Sequence, residues 1–189
     1  MKMYFAILAA VVFGLAFVVA VAYADQEAGS SSYVCADSTG RFYVRAVPEE
    51  TYAYRKNREA GITRVYRVAV PEDKLLTTYN WYAPNVVLAA TDKGVSVIRF
   101  GPWPRGHKAD NQLAIAFYLD GKLLKSYSTL DIAGTADNVS FSVSHYTVIQ
   151  KHYRNSDGAA YDVETTDGRI ISFDPMTGEI ISTTTKPAE

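Results

Sequence analysis

The chain is poor in the residues from which reactive centres are usually built. It has a single cysteine, Cys35, which excludes an internal disulfide, and three histidines, His107, His145 and His152. His145 and His152 are separated by an odd number of positions, so on one continuous strand they point to opposite faces and do not share a metal; His107 lies far off in sequence. There is no basic excess. Lys and Arg number 19 against 20 Asp and Glu, for a net charge of −1, which argues against nucleic acid and anionic bilayers as partners by bulk electrostatics. No Gly-x-Ser-x-Gly elbow is present, and Asp131 to Asp137 lacks the dense alternation of oxygen ligands of a calcium loop. Neither a metal nor a cofactor is expected.

What is present begins at the N-terminus. Basic Lys2, an apolar run from Tyr4 to Val21 and Ala22-Tyr23-Ala24 before Asp25 have the anatomy of a secretory signal peptide. The expected location is therefore secreted or periplasmic, the alternative being an uncleaved segment that anchors the chain to a membrane. Residues 25–32, Asp-Gln-Glu-Ala-Gly-Ser-Ser-Ser, read as a flexible leader, residues 33–182 as a single β domain and residues 183–189 as a polar tail.

Within the domain, turn signals bracket runs rich in Val, Ile, Tyr, Phe and Thr, the punctuation of strands and hairpins. Phe42, Val44 and Ala46 alternate with Arg41, Tyr43 and Arg45, and Tyr66, Val68 and Val70 form a second apolar face opposite Arg67. Val86–Thr91 and Val95–Phe100 flank the turn Asp92-Lys93-Gly94. Leu113–Leu119 and Lys122–Tyr127 flank Asp120-Gly121, and Tyr161–Thr166 and Arg169–Phe173 flank Asp167-Gly168. Asp92, Asp120, Asp167 and Asp174 each stand where a side chain caps its own turn, which makes them structural rather than catalytic carboxylates. The segment from Leu113 to Leu119 is apolar on both faces and is expected in the middle of a covered sheet. Helix is scarce; Pro48 to Ala60 is the best candidate, its acids early, its bases late and Gly61 at its end.

The stretch Thr166-Asp167-Gly168-Arg169-Ile170-Ile171-Ser172-Phe173-Asp174-Pro175-Met176-Thr177-Gly178-Glu179-Ile180-Ile181 resembles a blade edge of quinoprotein-like β-propeller repeats, in which a strand ends at Asp-x-x-Thr-Gly and the next begins. A blade takes about 40–45 residues, so the chain has room for at most four. The expected fold is all-β: antiparallel hairpins forming a curved sheet, a sandwich or a few propeller-like blades, with at most one short helix.

Aromatic residues are the one abundant resource, 13% of the chain with 14 Tyr. Trp81 and Tyr82 stand together in Tyr79-Asn80-Trp81-Tyr82, and Trp103 and Arg105 share the Pro-bracketed loop Gly101-Pro102-Trp103-Pro104-Arg105-Gly106. These four are the candidate binding residues, because an exposed indole beside a cation stacks on a sugar ring or anchors a protein. The competing reading of Trp103 is a lid over Phe100 at the end of its strand. Ser140, Ser142 and Ser144 alternate with His145 and fall on the opposite face from it, so no Ser–His pair is expected. The function read from the sequence is a non-catalytic binding or structural module for an envelope or extracellular protein or glycan; the alternative is a cell-envelope hydrolase acting on glycans.

Export has a direct check. Protein recovered from the envelope or medium is expected to begin at Asp25 by intact-mass analysis; a membrane-bound species retaining Met1 to Ala24 would favour the anchor.

Overall fold

The computed structural model describes residues 30–49, 58–91, 93–155 and 158–186. The signal segment and most of the leader lie outside them, as does much of the helix candidate Pro48 to Ala60. Its described ends are not helical, since Pro48 closes a strand.

Three four-stranded antiparallel meanders follow one another along the chain, each strand hydrogen-bonded to the next in sequence. Sheet I comprises β1 (Tyr33–Ala36), β2 (Phe42–Pro48), β3 (Gly61–Arg67) and β4 (Lys74–Tyr79); sheet II comprises β5 (Val86–Thr91), β6 (Gly94–Phe100), β7 (Leu113–Leu119) and β8 (Lys122–Ser128). A helical turn, α1 (Thr129–Ala133), and a short hairpin, β9 (Ser140–Phe141) and β10 (Tyr146–Thr147), precede sheet III: β11 (Ile149–Arg154), β12 (Tyr161–Thr165), β13 (Arg169–Phe173) and β14 (Ile180–Thr185). The fold is all-β with blade-like sheets. The hairpins form at the turns where Asp-Gly was read; Asp120 and Gly121 take φ of 46° and 89°, the left-handed pair that a two-residue hairpin needs.

Sheet II is covered on both sides. In β6 every residue from Val95 to Phe100 is buried, and in β7 every residue from Ala114 to Tyr118. Val95, Val97, Ala116 and Tyr118 pack with Val44, Val65 and Tyr79 of sheet I. Ile98, Phe100, Ile115 and Phe117 pack with Tyr161, Val163, Ile171 and Phe173 of sheet III. A register shift between Leu113 and Ile115 moves Leu113 to the sheet I side and Ala114 to the sheet III side, against the strict alternation expected of that strand.

The phase of β3 differs from the expectation. The strand begins at Gly61 and ends at Arg67, its core-facing residues are Thr63 and Val65, and Tyr66 lies on the opposite face. Val68 and Val70 fall beyond the strand and are exposed. The apolar alternation continued past the point where pairing with β2 and β4 stops. At the other end of the chain, β14 runs to Thr185, so the first residues of the expected tail pair with β13.

Sheet III is docked on sheet II by the turn Asp174 to Gly178, the Asp-x-x-Thr-Gly motif. Asp174 caps the turn by accepting from Met176 N (2.7 Å), Ser96 Oγ of sheet II donates to the Pro175 carbonyl, and Tyr127 OH donates to Gly178 O (2.8 Å). Lys125 pairs with Glu179 beside it (2.7 Å). Gly178 has φ of 76°, and a Cβ there would lie 2.9 Å from Phe117 Cβ and 2.9 Å from Lys125 Cβ.

The short helix is tied to sheet III by Arg169. Ser128 and Asp131 form a capping box at its N-terminus. At its C-terminus Arg169 Nη2 donates to the carbonyls of Ile132 and Ala133, both at 2.8 Å, supplying donors that a helix end lacks. Asp167 holds that guanidinium from below (2.6 Å) and also accepts from Thr165 and Asn138. Burial pushes the Asp167 carboxyl up, but hydrogen bonds from Arg169, Thr165 and Asn138 outweigh it and bring it down to about 2.

Gly178→Ala is expected to destabilise by about 1–3 kcal/mol, combining a disfavoured φ with overpacking against Phe117. The urea midpoint measures it, and Gly168→Ala, whose Cβ would meet nothing within 4 Å at a similar φ of 84°, isolates the conformational share.

Candidate functional sites

The loop after β6 is pinned at several points. Gly101 N donates to Ala114 O (3.0 Å), Tyr146 N to Pro104 O (3.2 Å) and Gly106 N to Ser144 O (3.3 Å), so Pro102 to Arg105 runs between the entry to β7 and the β9–β10 hairpin. Trp103 is half-buried and meets His145 edge-on, ring centroids 3.9 Å apart at 70°. Arg58 donates to the Trp103 carbonyl. Arg105 is exposed, and its backbone exchanges hydrogen bonds with the Gln112 amide (3.3 and 3.1 Å).

The ring stacked on Phe100 is that of His152, at 4.2 Å and 28°. Trp103, Phe100, His152, Asn85 and Thr129 line a cavity of about 230 Å3 between sheets II and III. Asn85 Nδ2 donates to His152 Nε2 (2.8 Å), which leaves Nδ1–H to donate to Tyr161 Oη (2.6 Å). Burial lowers the His152 pKa and raises that of Tyr161. This is a neutral imidazole locked between two partners, one from the β4–β5 link and one from sheet III, and its hydrogen bonds are spent on holding the sheets together.

The other titratable candidates are similarly occupied. Asp110 accepts from Tyr146 OH (3.1 Å) and Gln112 N (2.8 Å); burial raises its carboxyl, and the bonds from Gln112, Tyr146 and Thr129 lower it further than burial lifts it. Asp120, in the β7–β8 turn, accepts from Val95 N (3.2 Å) at the start of the neighbouring strand β6. Asp92 lies outside the described residues. Cys35 is half-buried, its thiol donates to Val86 O (3.2 Å), and burial pushes its pKa up. His107 packs against Phe141 (6.0 Å), so each of the three histidines packs on different aromatic rings. Among the described residues no three His, Cys, Asp or Glu side chains converge as a metal-holding group.

Trp81 and Tyr82 are placed away from Trp103, at the junction of sheets I and II. Trp81 stacks on Tyr79 (4.8 Å), lies 5.5 Å from Tyr118 and takes the Arg99 guanidinium over its ring at 4.5 Å. Arg99 also pairs with Glu59. Tyr82 is 3% exposed, with its hydroxyl donating to Ser31 O (3.1 Å). These two residues hold sheet I on sheet II and present little surface.

The face of sheet I turned away from sheet II is of another kind, and reading the strands singly did not single it out. Three cross-strand pairs stand in succession on it: Tyr43 opposite Tyr66, Arg45 opposite Arg64, and Val47 opposite Ile62. The tyrosine rings stack at 4.9 Å and 12°, and Tyr43 OH donates to Asp73 at the edge (2.9 Å), a bond that raises its pKa. Val34 of β1 and Thr78 of β4 extend the arginine row to both sides. Arg45, Arg64, Val47, Ile62, Asn80 and Glu49 line a depression of about 620 Å3. Among the described residues no carboxylate forms an ion pair with Arg45 or Arg64. The signal that could have found this face is the same-phase alternation Tyr-x-Arg-x-Val in β2 against Ile-x-Arg-x-Tyr in β3, legible once the two strands are paired antiparallel.

No protein family model matches the chain, and none of the curated proteins does. Among solved structures it is similar to Saccharomyces cerevisiae Sqt1 at 10% identity and a TM-score of 0.38, over 81% of this chain and 50% of that one. It is also similar to HIRA(644-1017) at 11% identity and a TM-score of 0.33, over 85% and 55%. A third is the WD40 β-propeller domain of Doa1, at 12% identity and a TM-score of 0.29, over 79% and 52%. The chain spans about half the length of these solved structures.

The His152 contacts set a pH dependence. Its folded pKa is depressed below that of the unfolded chain, so below about pH 6.5 the unfolded state binds more protons, and stability present at neutral pH is lost as pH falls through the folded value. His152→Gln is expected to remove that acid-side slope from the urea midpoint and to cost about 1–3 kcal/mol at neutral pH through the unpaired Tyr161 and Asn85. An unchanged slope in the variant would assign the acid sensitivity to other groups.

Proposed function

We propose that the protein is an exported, non-catalytic recognition module that holds an acidic glycan on the free face of sheet I. The observation that carries this reading is the Arg45–Arg64 pair. Two guanidiniums directly opposite each other on neighbouring strands repel, and a sheet that needed only to fold would not gain from them. On either side of the pair lie surfaces of complementary use: the Tyr43–Tyr66 stack, whose outer ring face suits a sugar ring, and the Val47–Ile62 pair, which suits its apolar edge. A depression of about 620 Å3 falls within the range of small-molecule sites and has room for a few sugar units. Arginine forks match carboxylate, phosphate and sulfate, the charged groups of acidic polysaccharides.

The chemistry elsewhere supports binding over hydrolysis. A glycan hydrolase needs two free carboxyl groups facing one bond. Asp110, Asp120, Asp167 and Asp174 are each hydrogen-bonded within or beside their own turn. Trp81 and Tyr82 serve the proposed face from behind, fixing the segment whose Asn80 lines the depression.

Affinity electrophoresis in gels containing polygalacturonate tests the reading, with a neutral glucan as control. Retardation by the polyuronate alone is expected, with no rise in reducing ends, and the double variant Arg45→Gln/Arg64→Gln is expected to weaken it at least tenfold. New reducing ends without an unsaturated uronate product would replace the module with a hydrolase, and with one would replace it with an eliminating enzyme; retention by poly-glutamate but not by the polyuronate would replace the glycan with an acidic protein.

A further inference from the structure

We infer that Arg45 and Arg64 together bind one oxyanion group, a carboxylate, phosphate or sulfate, bridged across the β2–β3 ladder. The inference rests on the reading of sheet I as a recognition face and names the group that the face recognises. Residues directly opposite in an antiparallel pair have Cβ atoms about 5 Å apart, and like charges so placed oppose pairing of the strands. Among the described residues the surrounding rows of the sheet carry no carboxylate directly opposite either arginine, and the carboxylate that lines the depression is that of Glu49. Along the arginine row the neighbours are Val34 and Thr78, and the rows to either side are Ala36, Tyr43, Tyr66 and Leu75, then Val47 and Ile62. The nearer acids are accounted for differently. Asp73 accepts from Tyr43 OH (2.9 Å) and Ala69 N (3.2 Å), and Glu49 is exposed without an ion pair to either arginine.

The backbone beneath both arginines is fixed on both sides. Both rise from strands in the middle of sheet I, flanked by β1 and β4, so their Cα positions are set by hydrogen bonds on both sides. Arg64 is half-buried and Arg45 exposed, and both line one depression, which gives an anion one sheltered fork and one open to exchange. A single oxyanion between them turns a repulsive cross-strand pair into two charge-assisted interactions sharing one acceptor group. A lone arginine would offer one fork; two opposed forks select a group with acceptors on two sides.

The test uses acetate, inorganic phosphate and sulfate as probes at constant ionic strength, with chloride as reference. Their binding is followed by the side-chain Nε–Hε NMR signals of Arg45 and Arg64 in the folded chain. Both signals are expected to move together with one saturable dissociation constant for at least one probe, and the probe that binds tightest identifies planar carboxylate or tetrahedral anion as the preferred group. In Arg45→Gln the Arg64 response is expected to weaken at least tenfold; Arg45→Lys, which keeps the charge and loses the fork, is expected to fall between. Sulfate and phosphate raise melting temperatures generally, so the thermal readout is the difference between parent and double variant, not the shift itself.

In chloride, each single Gln variant is expected to melt no lower than the parent, because repulsion has been removed. A variant that melts lower in chloride would show that the pair stabilises the empty fold and would overturn the inference. So would an Arg64 signal that answers the anions equally with and without Arg45, or the absence of saturation by all three probes. Polyuronate retention with all three small anions silent overturns the inference and leaves the recognition reading standing; saturable anion binding with every glycan ignored does the reverse.

Discussion

Strands β6 and β7 are apolar on both faces except for Ser96 and Arg99 of β6, and a sheet with two largely apolar faces is stable in water only when both are covered. That constraint organises the molecule. Sheet I covers one side of sheet II through Val44, Val65 and Tyr79, and sheet III covers the other through Tyr161, Val163, Ile171 and Phe173. Fully burying a side chain of this size is worth about 1.5–3 kcal/mol. The double row of such residues in β6 and β7 makes sheet II the element on which the positions of the other two depend.

Burial alone does not fix how sheets slide over one another, and polar contacts do that here. On the sheet III side, the Asp174–Gly178 turn offers its carbonyls to Ser96 and Tyr127, and His152 joins Asn85 to Tyr161. On the sheet I side, Tyr33 OH donates to Ala83 O (2.8 Å) and Arg99 lies over Trp81 while paired with Glu59. Each is a directional bond in a place where an unpaired polar atom would be costly, so each selects one register of sheet on sheet. Residues that look like catalytic material in the sequence, an imidazole, several aspartates and a buried arginine, are used in this way.

The outward faces of the stack then differ in chemistry. The outer face of sheet III carries Asp162, Glu164 and Ser172, all partly buried, with Lys186 paired to Glu164 at 3.8 Å and one Asp162 carboxylate oxygen buried without a hydrogen-bond partner. The outer face of sheet I carries stacked tyrosines, an aliphatic pair and two opposed arginines that form no ion pair with a carboxylate among the described residues. A sheet that is held from behind by its neighbour can tolerate that arrangement, since the cost of a repulsive pair is small beside the burial on its inner face. The proposed recognition face thus lies on a sheet held by burial of its other side.

By itself the sequence determined the all-β class, the Asp-Gly hairpins of sheets II and III, the central position of Leu113–Leu119 and the turn-capping roles of Asp167 and Asp174, whereas the Asp120 carboxylate reaches Val95 of β6 instead of its own turn. The features so determined are consequences of neighbours within a few residues: side-chain alternation, turn backbone and self-capping act locally. What it left undecided, the tertiary structure decided. The phase of β3 depended on where pairing with β2 and β4 ends, a long-range matter, and the apolar Val68 and Val70 misled because alternation carries no information about partners. Trp103, Arg105, Trp81 and Tyr82 stood out as residue types, yet the fold buries Tyr82, encloses Trp81 with Arg99 and lays His152 on Phe100 where Trp103 was the expected cover. Arg45 stood on the polar face of its strand and Arg64 was not singled out at all, until antiparallel pairing set them opposite each other. Their meeting is a property of register, which no single strand contains.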